Sequence, residues 1–189
     1  MFTGIVQAVG RVLRTRPFEI DAGNLDLAGV AVGDSICVQG VCLTVTAMRP
    51  KGFAADVSDE TLRVTTGLDR PGAVNLEKSL ALGDKLGGHL VTGHVDGVGE
   101  VTGRNGTAVA FRMPRSLSRY LALKGSICVD GVSLTVNRVD GDQFEVNLIP
   151  HTLEVTTLSR LERGTKVNLE VDLIARYVER MLASTLNNS

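Results

Sequence analysis

Apolar and polar side chains alternate strictly over residues 41–46. Val41, Leu43 and Val45 fall on one face of an extended strand, and Cys42, Thr44 and Thr46 on the other. A second β-branched run, Ser35-Ile36-Cys37-Val38, precedes it, and Gln39-Gly40 separates the two. An X-Gly pair between such runs predicts a hairpin, because glycine takes positive φ without strain. The whole pattern then returns: residues 126–136 repeat residues 35–45 with nine of eleven positions identical, and Asp130-Gly131 stands at the turn.

Three more blocks recur in the same order. Gly4-Ile5-Val6, followed by Val9-Gly10-Arg11-Val12, returns as Gly93-His94-Val95, followed by Val98-Gly99-Glu100-Val101. Thr61-Leu62 and Thr65-Thr66 return as Thr152-Leu153 and Thr156-Thr157, and Val74-Asn75-Leu76-Glu77 as Val167-Asn168-Leu169-Glu170. The offset drifts from 89 to 93, as loops of changed length between unchanged strands require. The chain is a tandem duplication. Short strands at this spacing with Gly-rich turns predict an all-β fold of two small, closed or nearly closed antiparallel barrels, over residues 1–86 and 87–171.

Only the end of the chain reads as helical. From Asp172, a helix-capping residue type, Leu173, Ile174, Tyr177, Val178, Met181 and Leu182 recur at the helical period. This helix and tail, residues 172–189, have no counterpart in the first lobe, where Leu80-Ala81-Leu82-Gly83-Asp84-Lys85 connects to the second. Its apolar stripe either packs on its own lobe or forms a seam between copies of the chain.

Composition narrows what the lobes can do. Hydrophobic residues at 43% and charged residues at 22% describe an ordinary folded domain, and 21 Gly against 5 Pro favours tight turns over disordered linkers. A net charge of −1 supplies no basic surface for nucleic acid or an anionic membrane. No apolar run approaches the roughly 20 residues of a membrane helix, and Met1-Phe2-Thr3-Gly4-Ile5-Val6 does not read as a signal peptide. Cys37, Cys42 and Cys128, with no CxxC spacing, suggest reduced thiols in a cytoplasmic setting.

Candidate chemistry sits on the polar faces of the hairpins. Cys42 and Thr44 in one lobe and Ser133 and Thr135 in the other lie near Glu60-Thr61 and His151-Thr152. Two readings are open: plain solvent exposure, or a pair of related pockets for a ligand rich in carbonyls and hydroxyls. His89 and His94, five apart in a β-like stretch, are expected on opposite faces, which argues against a shared metal. His94 is the stronger acid–base candidate, since its repeat counterpart is Ile5. Cys37 and Cys128 read as inert core residues. Cys42, opposite Ser133 in the repeat, reads as a ligand contact or a reactive thiol, with no base beside it in sequence.

These residues carry a resemblance to the riboflavin synthase family over essentially the whole chain. It rests on Met1-Phe2-Thr3-Gly4-Ile5-Val6-Gln7, Gly40-Val41-Cys42-Leu43-Thr44-Val45, Glu60-Thr61-Leu62-Arg63 and residues 87–97, which begin Gly87-Gly88-His89. Asp130-Gly131-Val132-Ser133-Leu134-Thr135-Val136, Leu148-Ile149-Pro150-His151-Thr152-Leu153 and Val167-Asn168-Leu169-Glu170-Val171-Asp172 complete it. The resemblance implies two six-stranded Greek-key barrels and a C-terminal helix that holds a homotrimer. It implies dismutation of 6,7-dimethyl-8-ribityllumazine, two molecules per site, to riboflavin and 5-amino-6-ribitylamino-uracil without metal or redox cofactor. The site would form between the N-terminal lobe of one subunit and the C-terminal lobe of a neighbour. An association with lumazine synthase is a further expectation, and whether the chain makes it is left open by the sequence.

Carried over residue by residue, the resemblance puts Gly4, Ile5, Val6, Cys42, Leu43, Thr44, Asp56, Glu60 and Thr61 around the N-terminal lumazine. It puts Gly93, His94, Val95, Lys124, Ser133, Leu134, Thr135 and Leu148 around the C-terminal one, with Ile149, Pro150, His151, Thr152 and Leu153. His94, Ser133 and Asp172 would assist proton transfer or nucleophile addition at the C-terminal lobe, and Cys42 would contact the acceptor at the other. Phe2, Ser35 and Thr135 complete the expected catalytic region. The family often has Glu where His151 stands, so that contact is expected to be made differently. The rival functions are a non-catalytic lumazine or flavin binder of the same fold and a barrel that binds single-stranded nucleic acid. Five Phe, two Tyr and no Trp leave the latter few stacking platforms.

Overall fold

The computed structural model describes residues 1–186, so the last three positions of the expected tail lie outside the described residues. The first barrel comprises β1 (Ala8–Thr15), β2 (Phe18–Asp21), β3 (Ser35–Val38), β4 (Val41–Arg49), β5 (Gly52–Ala55) and β6 (Gly72–Lys78). The second comprises β7 (Gly97–Asn105), β8 (Ala108–Arg112), β9 (Ser126–Val129), β10 (Val132–Asp140), β11 (Gln143–Asn147) and β12 (Lys166–Val171). Each closes on itself with all neighbours antiparallel, in the orders β1-β2-β5-β4-β3-β6 and β7-β8-β11-β10-β9-β12. A three-strand meander with the last strand returning beside its first is a Greek key, and closure leaves no sheet edge exposed.

Local chemistry explains the shape. At both hairpin turns two successive residues have positive φ, Gln39 (52°) with Gly40 (85°) and Asp130 (50°) with Gly131 (81°), the turn whose twist suits adjoining strands. Register shifts recur at matching places, Val12/Arg14 with Val101/Gly103 and Val45/Ala47 with Val136/Arg138. Such bulges sharpen the bend that a small barrel needs. Alternation places Val41, Leu43 and Val45 inward, as expected, and their counterparts Val132, Leu134 and Val136 likewise. Phe53, Ile20 and Leu76 fill the first barrel; Phe111 and Phe144, stacked 5.1 Å apart, fill the second. Burying side chains of this size stabilises by about 1.5–3 kcal/mol each.

The end of the chain is not the only helical part. Short helices α1 (Asp59–Val64) and α2 (Pro150–Val155) occupy equivalent places in the two lobes, ahead of α3 (Leu173–Leu186). Six residues are too few to show an amphipathic period, but Ser58 accepts from the Thr61 N–H and Pro150 opens the first turn of α2, both helix-start signals. Asp172 caps α3 as expected, its Oδ1 accepting from the Ile174 N–H at 2.9 Å. Much of the stripe stands clear of its own lobe: Leu173 is half-buried, but Ile174 and Tyr177 are each 64% exposed and Leu182 60%. Polar contacts at the other side hold the helix, Arg176 with Asp96 (2.8 Å) and Arg119 with Glu179 (3.0 Å).

Between the barrels lies a seam with local two-fold symmetry. Phe2 and Val91, repeat equivalents, form an antiparallel bridge (2.8 and 3.1 Å) and pack with Cys37 and Cys128 in a cluster belonging to neither barrel. The two hairpin turns meet back to back; a Cβ on Gly40 would lie 2.9 Å from the Gly131 nitrogen, and the reverse holds equally. Asn75 Nδ2 donates to the Asp130 carbonyl (2.8 Å) and Asn168 Nδ2 to the Gln39 carbonyl (2.9 Å). Their amide oxygens accept from the Thr157 and Thr66 N–H groups, both at 2.8 Å.

Symmetry breaks at the turns themselves. Gln39 Oε1 accepts from the Asn75 N–H (2.9 Å), and Asp130 Oδ1 from the Asn168 N–H (2.8 Å). Asp130 is buried, and desolvation pushes its carboxyl from 3.8 up to about 7 against the pull of that hydrogen bond. The folded protein thus keeps a proton that the unfolded chain releases at lower pH. This group's contribution is fully present below about pH 4 and is lost as pH rises through about 7. Asp130→Asn, which removes the ionisable carboxyl with no change of side-chain length, should stabilise the protein by a margin that grows from near zero at about pH 4 to on the order of 4 kcal/mol above pH 7. Thermal melts of both proteins across that range measure it, and a margin independent of pH contradicts it.

Candidate functional site

The outward faces of the β4 and β10 hairpin strands form two matching shelves. Cys42 and Ser133 are half-buried at corresponding positions, with Thr44 and Thr135 exposed beyond them. Each shelf is roofed by a segment that starts the other lobe's barrel. The Ser133 N–H donates to the Gly4 carbonyl and the Cys42 N–H to the Gly93 carbonyl, both at 2.8 Å. Gly4 (φ +74°) and Gly93 (φ +78°) adopt the left-handed conformation, and a Cβ on either would stand 2.6 Å from the Ser133 or Cys42 Cβ. Glycine is required there twice over, for conformation and for space.

This crossing corrects the expected grouping. Gly4, Ile5 and Val6 were assigned to the shelf of Cys42 and Thr44, but the structure sets them over Ser133 and Thr135; Val6 packs into the second barrel's core. Gly93, His94 and Val95 lie instead over the first lobe, with the Val95 side chain against its core. The reason is topological: β1 and β7 begin only after these segments have passed over the seam.

The histidines follow the same correction. His89, not His94, meets Ser133, with Nδ1 and Oγ 2.7 Å apart. His89 is buried, its backbone N–H donates to the Thr3 carbonyl (3.1 Å), and its Nε2 is buried without a partner among the described residues. Burial lowers its pKa below the ordinary histidine value, with the Asp172 carboxylate pulling the other way, so the ring is neutral at neutral pH. His94 is exposed over the shelf of Cys42, its N–H donating to Thr92 Oγ1 (3.3 Å). The stretch carrying both is irregular rather than β-like, apart from the bridge at Val91. His89 has no repeat counterpart, and the useful signal was Gly87-Gly88 before it. A Cβ on Gly88 would stand 2.1 Å from the Thr3 carbonyl oxygen and 2.8 Å from the Ser133 Cβ.

Other expected contacts divide by where their side chains point. Those of Val6, Leu43, Leu134 and Leu148 are in the barrel cores, and Leu153 packs against the second, so only their backbones are free to meet a ligand. Phe2 is 0% exposed in the seam, in a cluster against which Cys42 of the first-lobe shelf packs, so it supports that shelf from beneath. Ser35 pairs with Thr44 across the hairpin, and Asp56 is exposed just after β5. On α1, Thr61 Oγ1 lies 2.9 Å from Ser58 Oγ, and Glu60 pairs with Arg63 in an exposed contact that stabilises little. At the start of α2, the N-cap Ile149 and then Pro150 and His151 are exposed and Thr152 is half-buried. Lys124 takes a left-handed φ of 65° and its Nζ donates to Asn137 Oδ1 (2.9 Å).

Cys37 and Cys128 are inert: burial pushes both thiols far up, and the Glu77 and Glu170 carboxylates add to it. Two clefts flank the first lobe, about 280 Å³ beside Ser35 and Ser79 and about 450 Å³ beside Thr3, Ile5 and Glu77. Neither includes Cys42, Ser133, Thr44 or Thr135, and Thr44 and Thr135 are exposed within one chain. Among the described residues no helix is long and apolar enough to cross a membrane.

The family model described as lumazine binding domain matches this chain twice, at residues 3–79 and 92–172. Riboflavin synthase of Mycobacterium tuberculosis (strain ATCC 25618 / H37Rv) is 50% identical over 200 residues, covering 97% of this chain and 99% of that one. Riboflavin synthase of Photobacterium phosphoreum is 45% identical over 194 residues, covering 96% and 89%. Among solved structures, LumP complexed with riboflavin superimposes with a TM-score of 0.80 at 29% identity, over 90% of this chain and 99% of that one. LumP complexed with 6,7-dimethyl-8-(1'-D-ribityl) lumazine gives 0.78 at 26% over the same shares.

The crossing glycines give a direct test. Gly4→Ala and Gly93→Ala should each destabilise the protein by about 2–6 kcal/mol, combining left-handed strain with overpacking. Denaturant titration measures this, and a loss under about 0.5 kcal/mol, as at an ordinary surface site, would mean the segments do not pack as described.

Proposed function

This chain belongs to the riboflavin synthase family, and on that premise we propose that its shelves bind two molecules of 6,7-dimethyl-8-ribityllumazine for a dismutation. One molecule gives up a four-carbon unit and leaves as 5-amino-6-ribitylamino-uracil; the other receives it and becomes riboflavin. The products together hold the same atoms as the two substrates, so the reaction needs no external oxidant or reductant. The identities of 50% and 45% to synthases, against 29% and 26% to LumP, favour an enzyme over a binder.

The observation that carries the reading is the unequal furnishing of two equal shelves. The second-lobe shelf has Ser133 with a buried, neutral His89 at 2.7 Å and Asp172 nearby. A neutral imidazole can take the proton from Ser133 as its hydroxyl adds to an electron-poor ring, or from the acidic C7 methyl. Its unpartnered Nε2 has capacity for one more hydrogen bond. The first-lobe shelf has Cys42 below and exposed His94 above, suited to holding the other lumazine while its methyl carbanion reacts. Most of the remaining work is alignment of two rings, where proximity is worth about 7–11 kcal/mol.

Exposed shelf residues and the exposed Ile174, Tyr177, Val178 and Leu182 of α3 support a site completed between subunits. We place the homotrimer contact on Ile174, Tyr177, Val178 and Leu182, with the first-lobe shelf of one subunit facing the second-lobe shelf of the next. The expected setting is cytoplasmic, and lumazine synthase would be a further partner.

Incubation with the lumazine alone should yield flavin absorbance; bound but unchanged lumazine would establish a binder instead. Single-turnover rates of Ser133→Ala and His89→Ala should fall by about 10²–10⁴-fold, and near-wild-type rates in both would reject this pair. Ile174→Glu with Tyr177→Glu should convert the trimer to monomer in sedimentation and abolish turnover while each barrel stays folded. A sedimenting trimer in that variant would move the contact elsewhere.

A further inference from the structure

The seam contains two carboxylates that the reaction as described does not use. Glu77 on β6 and Glu170 on β12 are repeat equivalents, both 3% exposed, and neither has an ion-pair partner among the described residues. A buried, unpaired charge is costly unless hydrogen bonds replace its water, and each carboxylate has them. Glu77 Oε1 accepts from the Thr3 N–H (2.7 Å) and the Thr3 hydroxyl (2.8 Å), and Oε2 from the Gly4 N–H (3.0 Å). Thr3 Oγ1 in turn accepts from the Ile5 N–H at 3.2 Å. Glu170 repeats this on the Thr92 N–H (2.7 Å), the Thr92 hydroxyl (2.7 Å) and the Gly93 N–H (2.9 Å), with Thr92 Oγ1 accepting from the His94 N–H. Three consecutive amides are thus fixed by one carboxylate, directly or through a hydroxyl.

We propose that Glu77 and Glu170 are positioning residues that act across the seam: Glu77, in the first lobe, sets the geometry of the second lobe's shelf, and Glu170 sets that of the first. The inference rests on the reading of the shelves as lumazine sites. Its basis is the path of the chain. Glu77 holds the amides of Thr3 and Gly4, while the Gly4 carbonyl receives the Ser133 N–H and Ile5 stands exposed beside that shelf. Glu170 holds the amides of Thr92 and Gly93, whose carbonyl receives the Cys42 N–H, and His94 follows. An acceptor with two oxygens and no proton matches three donors. A glutamine has one oxygen and one N–H₂, and whichever way it turns, it presents a donor to a donor.

Double-mutant cycles on kcat/KM test the crossing. Glu77→Gln should lower kcat/KM about tenfold and lose little more when combined with Ser133→Ala, whereas its loss should multiply with that of Cys42→Ala. Glu170→Gln should show the reverse, coupling to Cys42→Ala and not to Ser133→Ala. A merely structural role predicts multiplicative losses in all four combinations, and that result, or coupling within one lobe, overturns the proposal. If Ser133→Ala and Cys42→Ala each leave kcat/KM unchanged, the shelf reading itself fails and takes the inference with it. Should a glutamine variant not fold, Thr3→Val and Thr92→Val remove only the relaying hydroxyl and must show the same crossed pattern, with Thr3→Ser and Thr92→Ser restoring activity; absence of either also overturns it.

Discussion

Backbone packed directly against backbone is the constraint from which the rest of this molecule follows. Where Gly40 meets Gly131, and where Gly4 and Gly93 press on Ser133 and Cys42, no side chain fits between the lobes. Polar main-chain groups brought that close must find partners inside the contact, since each one buried without a partner costs about 1–3 kcal/mol. Asn75 and Asn168 meet that demand by spanning the turns, and Glu77 and Glu170 by collecting the amides of the crossing segments. Locking the two lobes and building the two shelves are therefore one structural act. A shift of one lobe relative to the other would move both roofs at once.

Much of this was legible from residues alone, and the limits have physical causes. Alternation in residues 41–46, the X-Gly turns and the ordered repeats led directly to paired closed barrels. The stripe of the last helix was equally plain, though not what would cover it. Six-residue helices leave no periodic trace, so α1 and α2 went unseen despite Ser58 and Pro150. The crossing could not be read at all. A repeat shows which positions correspond, but a segment that packs on its own lobe and one that packs on the neighbour have the same sequence pattern. His94 therefore stood out by contrast with Ile5, while His89, outside the repeat, had nothing to be compared with and yet lies against Ser133.

The departures from symmetry sit at specific depths. Those that would bear on chemistry lie on or beside the shelves: Ile5 against His94 and Cys42 against Ser133. The one at the centre, Gln39 against Asp130, keeps the hydrogen bond to the facing asparagine N–H while replacing an amide by a carboxyl on a side chain one methylene shorter. Where the backbone is most crowded the change keeps its hydrogen bond; on the shelves Thr44 and Thr135 are the same, and Cys42 against Ser133 alters the chemistry beside them. A reaction between two identical molecules in different roles calls for that distribution, with a shared frame and unlike surfaces.

The bridge between Phe2 and Val91 has one more implication. Each lobe lends its leading arm to the other and receives one in return, around a single pseudo-dyad. An isolated lobe would have an arm with nothing to lie on and a hairpin with no cover, and two copies of one lobe would satisfy each other by the same exchange. That is an isologous, arm-swapped dimer. The present chain has the geometry of such a dimer with its two copies joined in one chain, so each half can carry a different residue at an equivalent position, which no homodimer can do.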